Sequence, residues 1–175
     1  MVQTQAARRP DTRGKTVRVL GFDPGTATTG YGVVEQQGNK LIHVAHGVIR
    51  TAPELHFAER LQHIHEEAQR LLVLYAPDAV ALERLYFKQN VTTGITVAQA
   101  RGVLALAAVQ AGKPISEFSP TEAKSAITGY GKADKQQMQE MIKILLNLPE
   151  RPRPDDAADA LGMAICRLHA GPLAG

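Results

Sequence analysis

The chain has 175 residues, of which 44% are hydrophobic, and this suits one globular domain with a substantial core. No apolar run approaches the ~20 residues that cross a membrane, and the N-terminus lacks the apolar core of a signal peptide, so no membrane location is expected. The single cysteine, Cys166, excludes an internal disulfide and indicates a reducing compartment, which we take to be the cytoplasm.

The net charge of +3 is distributed unevenly along the chain. Residues 1–15 hold four basic side chains against one acidic, without hydrophobic periodicity, and predict a disordered N-terminal tail. Residues 84–153 carry ten basic and five acidic side chains, whereas the stretches on either side, 16–83 and 154–175, are both net acidic. This pattern favours an anion-binding site beside a cation-binding site, although ordinary surface ion pairs would give the same counts.

Strands and helices alternate in the predicted secondary structure. Hydrophobic periodicity, turns and caps predict ten elements in chain order. They are strands at 16–23, about 29–37 and about 40–50; a helix at 55–75; a strand at 79–85; a helix at 91–111; a strand at 114–118; and helices starting at the Ser119–Glu122 capping box, at Asp134 and at about 155. This order predicts an α/β fold with a five-stranded mixed sheet flanked by helices, in one domain over residues 16–170.

Four carboxylates stand where an acid is unexpected. "VRVLGFDPG" ends a buried strand on Asp23, and "AVALERL" carries Glu83 at the end of another. In "PDDAADALGMAI", Asp156 and Asp159 lie three residues apart on a helix and share one face. Each acid also has a simpler interpretation. Asp23 could cap a turn, Glu83 could leave the sheet edge, and acids are favoured in the first turn of a helix.

A metal site would explain all four acids together. If the strands that end at Asp23 and Glu83 are parallel neighbours, their side chains lie side by side, and the last helix can place two more acids across them. Four clustered carboxylates repel one another unless cations neutralise them, and hard oxygen ligands suit Mg²⁺ or Mn²⁺. Two such ions about 4 Å apart can activate water and stabilise the leaving oxygen of a phosphodiester.

Basic and aromatic residues predict a nucleic-acid surface. "RLYFKQN" places two aromatic rings between basic residues after Glu83, which suits base stacking with phosphate contact, although one ring could belong to the core. Three lysines lie on or beside "TGYGKADKQ", where a glycine-rich turn leads into a helix N-terminus that favours phosphate. Any one of them alone could be an ordinary surface charge. The predicted DNA-binding residues are Arg84, Tyr86, Lys88, Lys124, Lys132 and Lys135.

Four blocks of the sequence resemble the RuvC family of Holliday junction resolvases, within the ribonuclease H-like nuclease fold. They are "GFDPGTATTGYGVV", "ALERLYFKQN", "AQARGV" and "DDAADALGMAI", in order between about residues 17 and 169. The resemblance implies a homodimeric, magnesium-dependent endonuclease that makes paired symmetric nicks in four-way DNA junctions during recombination and repair. It further implies two Mg²⁺ ions per site, replaceable by Mn²⁺, and RuvA and RuvB as candidate partners.

The resemblance also assigns roles to individual residues. Its D-A-A-D spacing selects Asp156 over Asp155, and the extra Asp155 departs from the usual pattern, as does the N-terminal extension. The four catalytic and metal-binding acids become Asp23, Glu83, Asp156 and Asp159. Tyr86 takes the position of the aromatic residue placed against unstacked junction bases, and Lys124 and Lys135 take those of phosphate-binding lysines.

Three other functions remain open from the sequence. Actin-like and sugar-kinase ATPases share the strand-turn-strand with Asp23 and Gly25, but they need a second lobe for which the chain has no room. A junction-binding protein without activity and a nuclease for RNA–DNA hybrids are the other two.

The helix at 91–111 is the predicted dimer contact. Its residues Gly94, Ala98 and Gly102 recur at four-residue steps, which predicts close helix contact with a partner chain or with the chain's own sheet.

Overall fold

The computed structural model of the protein describes residues 16–85 and 91–173, so the tail predicted over residues 1–15 lies outside it. One five-stranded sheet has the order β3-β2-β1-β4-β5. Its strands are β1 (Val17–Asp23), β2 (Thr28–Gln37), β3 (Lys40–Arg50), β4 (Ala79–Glu83) and β5 (Ile115–Phe118). The helices of the described part are α1 (Phe57–Tyr75), α2 (Val91–Gln110), α3 (Pro120–Thr128), α4 (Lys135–Leu145) and α5 (Asp155–His169). The predicted order of elements is confirmed.

The central strand β1 pairs antiparallel with β2 and parallel with β4, which confirms the predicted mixed sheet. Alternate residues of a strand point to opposite faces, so β1 contributes to two cores. Leu20 and Phe22 are fully buried in the layer of α1 and α2, whereas Val19 is buried in the layer that includes α5. By this alternation, Asp23 at the end of β1 points to the same side as α5.

Helix α5 packs directly on the backbone of β1 and β2 because two glycines leave room for it. A Cβ atom at Gly21 would lie 2.1 Å from the carbonyl oxygen of Ala160. A Cβ atom at Gly30, which pairs with Asp23 across the strands, would lie 1.9 Å from the carbonyl oxygen of Asp156. Neither distance is possible for a real side chain. The two glycines therefore bring the first turns of α5 close to the end of β1.

Helices α3 and α4 begin at the predicted caps. The Ser119 hydroxyl accepts a hydrogen bond from the Glu122 amide at 3.1 Å, and the Glu122 carboxylate accepts one from the Ser119 amide at 2.7 Å. Asp134 and Gln137 make the same reciprocal pair at the start of α4. Gly129, in the left-handed conformation, ends α3, so it and the Asp134 capping box bound the turn that carries Lys132.

Helix α2 leaves one apolar face uncovered. Its segment Thr92–Gln110 has the length and mean hydropathy, 1.3, of a helix that could cross a membrane, so the expectation that no segment approaches this length is wrong by this criterion. Leu104 on its inner side is fully buried, whereas Ile95, Leu106 and Val109 are 50%, 49% and 64% exposed. The helix thus covers the core on one side and presents aliphatic side chains on the other.

Candidate active site

The ends of β1 and β4 bring Asp23 and Glu83 together. Phe22 pairs with Leu82 in the parallel ladder, so the next residues, Asp23 and Glu83, are neighbours on the same face. Burial is the main cause that raises the pKa of Asp23 to about 8. The negative charges of Glu83, Asp159 and Asp156 raise it further, in that order. The structure therefore brings together all four acids that the sequence singled out.

Two other carboxylates of the cluster, Glu83 and Asp159, are partly buried. Burial raises the pKa of Glu83, and the charge of Asp159 adds to the effect. Burial likewise raises the pKa of Asp159, although the Lys135 ammonium opposes the shift. The Nζ atom of Lys135 lies 3.5 Å from Oδ2 of Asp159. A lysine from α4 thus supplies part of the positive charge that this cluster requires.

Asp155 faces a different environment from Asp156. Its side chain is 61% exposed, and Oδ2 lies 3.1 Å from Nζ of Lys135. Hydrogen bonds from Lys135 and then from Gln139 hold the pKa of Asp155 below its usual range. Asp156, by contrast, is among the charges that act on Asp23, and its carbonyl oxygen packs over Gly30. The two adjacent acids therefore have different neighbours, although the charge of Asp155 also acts on Asp159.

The chemistry of this donor set fits a divalent cation. Four carboxylates offer hard oxygen ligands, and the raised pKa of Asp23 shows that the site favours an added positive charge, whether a proton or a metal ion. Within residues 16–85 and 91–173, no three acidic, histidine or cysteine side chains converge closely enough to hold one ion as they stand.

The structure changes the interpretation of Arg84. Its Nη2 donates to the carbonyl oxygen of Glu117 at 3.0 Å, and its Nη1 lies 3.5 Å from Oε2 of Glu122. The guanidinium therefore joins the end of β4 to β5 and α3, while 44% of the Arg84 side chain is exposed, and its contact with DNA stays a prediction. The predicted contacts Tyr86 and Lys88 lie in residues 86–90, outside the described part of the chain.

The three predicted phosphate-binding lysines differ in their positions on α3, on α4 and in the turn between them. Lys124 is a half-buried residue of α3, and Lys132 is exposed in the turn before α4. Lys135, the first residue of α4, is exposed and contacts the carboxylates of α5 directly. Lys135 is therefore the member of this group whose position beside the acids the structure establishes.

Two features of the site were missed in the sequence. Arg101 of α2 donates from Nε to the main-chain oxygen of Glu83 at 3.2 Å and forms an ion pair with Glu117. Its block, "AQARGV", gave no hint of that partner. The glycines beneath α5 did leave a signal, because Gly30 and Gly32 alternate in "TGYGVV" and share one face of a strand, and a Cβ atom at Gly32 would lie 2.6 Å from the backbone nitrogen of Leu161.

Comparison with known sequences gives matches over nearly the whole described chain. A family model described as crossover junction endodeoxyribonuclease RuvC matches residues 19–167. The proteins of that name from Thermosipho melanesiensis and Heliobacterium modesticaldum are 54% and 50% identical over 150 and 151 residues. Both alignments cover 86% of this chain, and they cover 96% and 93% of the two relatives.

Known structures match over the same extent of the chain. Thermus thermophilus RuvC has 34% identity and a TM-score of 0.81, covering 87% of this chain and 94% of its own. The same protein in complex with a Holliday junction substrate has 34% identity and a TM-score of 0.84, covering 88% and 94%. These matches confirm the predicted fold, a ribonuclease H-like mixed sheet flanked by helices.

Proposed function

The chain belongs to the RuvC family of crossover junction endodeoxyribonucleases, and from this membership we infer that it is a Holliday junction resolvase. It is a hydrolytic DNA endonuclease that acts in recombination and repair. Family membership over residues 19–167 is the observation that carries this conclusion. The carboxylate cluster around Asp23 supports it, because phosphodiester hydrolysis needs groups that can hold divalent cations. We propose that residues 16–170 form the nuclease domain.

The family depends on divalent metal ions, and for this chain we propose two Mg²⁺ ions per active site, replaceable by Mn²⁺. Asp23, Glu83, Asp156 and Asp159 would hold them, and the metal would supply activated water and charge stabilisation for the leaving oxygen. The burial of Asp23 and Glu83 supports this assignment, since it concentrates negative charge that a divalent cation would relieve.

Residues around the metal ligands have separate tasks in this proposal. Lys135 holds Asp159 in the free protein and would turn its ammonium toward the DNA phosphate when metal ions neutralise the carboxylates. Lys124 and Lys132, on α3 and in the turn before α4, would contact phosphates on the same side. Tyr86 and Lys88 would contact the opened bases and backbone of the junction.

We propose that the active form is a homodimer, because two matching nicks need two active sites related by a twofold axis. The exposed aliphatic side chains of α2, Ile95, Leu106 and Val109, support α2 as the self-association surface. A Cβ atom at Gly102 on this helix would meet no atom within 4 Å, so another helix could approach closely there. Of the small residues predicted to allow close helix contact, Gly94 and Ala98 are half-buried within the chain and Gly102 is exposed.

RuvA and RuvB remain candidate partners through the branch-migration step that precedes resolution. We further propose that the protein acts in the cytoplasm. Cys166, its one cysteine, is a free thiol buried in α5, which suits a reducing compartment.

A substrate panel tests the proposed function. Purified protein is incubated with Mg²⁺ and a labelled four-way junction, an RNA–DNA hybrid or a linear duplex of the same sequence. We expect paired, symmetric nicks in the junction and much slower cleavage of the other two. Preferred cleavage of the hybrid would make the protein a ribonuclease instead. Junction binding without nicks in either Mg²⁺ or Mn²⁺ would leave only a binding function.

A further inference from the structure

The main-chain carbonyl oxygen of Glu83 points toward β1, but β1 has no N–H group at the position that would donate to it. The Arg84 amide donates to the carbonyl oxygen of Phe118 on β5 at 2.8 Å. Successive residues of a strand direct their peptide groups to opposite neighbours, so the carbonyl of Glu83 is directed toward β1. The β1–β4 ladder ends with the pair Phe22 and Leu82, so Glu83 lies beside Asp23. In a parallel ladder the carbonyl oxygen of Glu83 would then accept a hydrogen bond from the N–H group of residue 24.

Residue 24 is Pro24, which has no N–H group. The carbonyl oxygen of Glu83 therefore lacks the hydrogen bond that the parallel ladder would give it. A buried carbonyl without a donor is unfavourable, and an unrestrained strand end would leave the Glu83 carboxylate poorly fixed. This consequence falls on a residue that we place among the metal ligands.

Arg101 supplies the missing donor from the opposite layer of the fold. Its Nε lies 3.2 Å from the carbonyl oxygen of Glu83. Its Nη2 forms an ion pair with Glu117 of β5, and only 21% of its side chain is exposed. Glu117 in turn accepts through its carbonyl oxygen from Arg84, the residue that follows Glu83. Guanidinium groups thus hold the end of β4 from two directions.

We propose that Arg101 is a positioning residue that replaces the hydrogen-bond donor absent at Pro24 and so fixes the Glu83 carboxylate beside Asp23. The proposal rests on the proposed function, because the position of Glu83 matters for catalysis only if Glu83 binds metal. It explains why an arginine of α2 donates a hydrogen bond to the main chain of an active-site residue on β4. Glu117 orients the Arg101 guanidinium through their ion pair and so contributes to the same positioning of Glu83.

The test compares Arg101→Gln with Arg101→Lys and with Lys40→Gln. Lys40 is exposed at the start of β3, at the other end of the sheet, so its substitution removes the same charge far from the site. Three quantities are measured: the single-turnover nicking rate, the junction Kd without metal, and Mn²⁺ affinity by calorimetry without DNA. For Arg101→Gln we expect a nicking rate about 10- to 100-fold lower and weaker Mn²⁺ binding, because groups that orient metal ligands have effects of this size.

The other variants separate positioning from DNA contact. Junction Kd should stay within about twofold for Arg101→Gln, because Arg101 acts through Glu83 and not through phosphate. Arg101→Lys should recover part of the rate, since an ammonium can donate to one carbonyl, and Lys40→Gln should match wild type. A wild-type rate in Arg101→Gln would overturn the inference, as would equal losses of rate and junction affinity.

Pro24→Ala gives a sharper test, because it restores an N–H group at residue 24. If Arg101 replaces that donor, Arg101→Gln should cost less in the Pro24→Ala background than in wild type. Equal costs in the two backgrounds would overturn the proposal, and Arg101→Lys is compared in the same cycle should Arg101→Gln not fold. Failure of wild-type protein to nick junctions would contradict the proposed function instead, so the two outcomes are distinguishable.

Discussion

The ammonium group of Lys135 lies 3.5 Å from Oδ2 of Asp159 and 3.1 Å from Oδ2 of Asp155, so one lysine joins an acid of the cluster to an acid outside it. The contact with Asp159 counters the effect of burial on that carboxyl group. The contact with Asp155 is solvent-exposed, and exposed ion pairs contribute about 1 kcal/mol or less. Asp155 and Asp159 therefore have unequal roles although both contact Lys135.

Substitution of adjacent acids tests the assignment to Asp156. Asp156→Asn should lose most nicking activity, whereas Asp155→Asn should stay within about threefold of wild type, since it loses only an exposed contact. Single-turnover cleavage of a four-way junction measures both variants under identical Mg²⁺. The reverse ranking would place Asp155 in the site and show that the match to the family is shifted by one residue in α5.

Loss of a buried carboxylate should separate cleavage from binding. Asp23→Asn and Glu83→Gln should each lower nicking at least about 100-fold, because metal ions contribute several kcal/mol of transition-state stabilisation. Junction affinity should change little, since it depends on phosphate contacts. Glu66→Gln, on the exposed side of α1, is the matched control. Nicking by either active-site variant within tenfold of wild type would remove that residue from the site.

The raised pKa of Asp23 predicts an unusual dependence of stability on pH. In metal-free protein the folded state keeps a proton on Asp23 up to about pH 8, whereas the unfolded chain loses it near the ordinary value of 3.8. The folded state thus binds more protons across this range, and the free energy of unfolding falls as pH rises, by at most about 1.4 kcal/mol per pH unit for one proton.

Urea unfolding in a chelator checks this dependence. Asp23→Asn should be more stable than wild type at about pH 8, and the difference should shrink toward about pH 4. Added Mn²⁺ should stabilise wild type and reduce the difference, because the ion replaces the proton as the compensating charge. A difference that is constant across pH would show that Asp23 titrates normally in the folded protein.

The outer face of α2 gives a test of assembly. Leu106→Arg should convert a dimer into a monomer, because it places a charge in an apolar contact. Ile144→Arg on α4, where the side chain is 62% exposed, is the control for adding arginine at an exposed aliphatic position. Light scattering and the ratio of paired to single nicks are the measurements. A dimeric Leu106→Arg variant with paired nicks would place the interface elsewhere.

Tyr86 lies outside the described part of the chain, so its role is tested by comparing two DNA substrates. Tyr86→Ala should weaken cleavage of junctions more than binding to linear duplex, since only opened bases can stack on the ring. Stacking on an aromatic side chain contributes roughly 1–3 kcal/mol per base. Equal losses on the two substrates would indicate that Tyr86 packs in the protein core.

Local patterns were sufficient to single out the four acids, but not to predict the protein partners of the arginines. Asp23 ends a strand whose other residues are apolar except Arg18, and Glu83 ends one whose other residues are all apolar, so sequence alone marks both acids as unusual. The DNA contact of Arg84 stays a prediction, but its protein partners, Glu117 and Glu122, could not be predicted because they are more than thirty residues away along the chain. The same holds for Arg101, whose function depends on which strands become neighbours. Periodicity predicts the face a residue occupies, and it contains no information on the partner met there.

The close approach of α5 to Gly30 has a consequence for inherited variation in this gene. Every amino acid other than glycine carries a Cβ atom, and at residue 30 that atom would lie 1.9 Å from the main chain of Asp156. Any missense change at this codon must therefore push α5 outward and move Asp156 away from Asp23. In a deep mutational scan for survival of DNA damage, residue 30 should be as intolerant as the catalytic acids, although it has no side chain of its own.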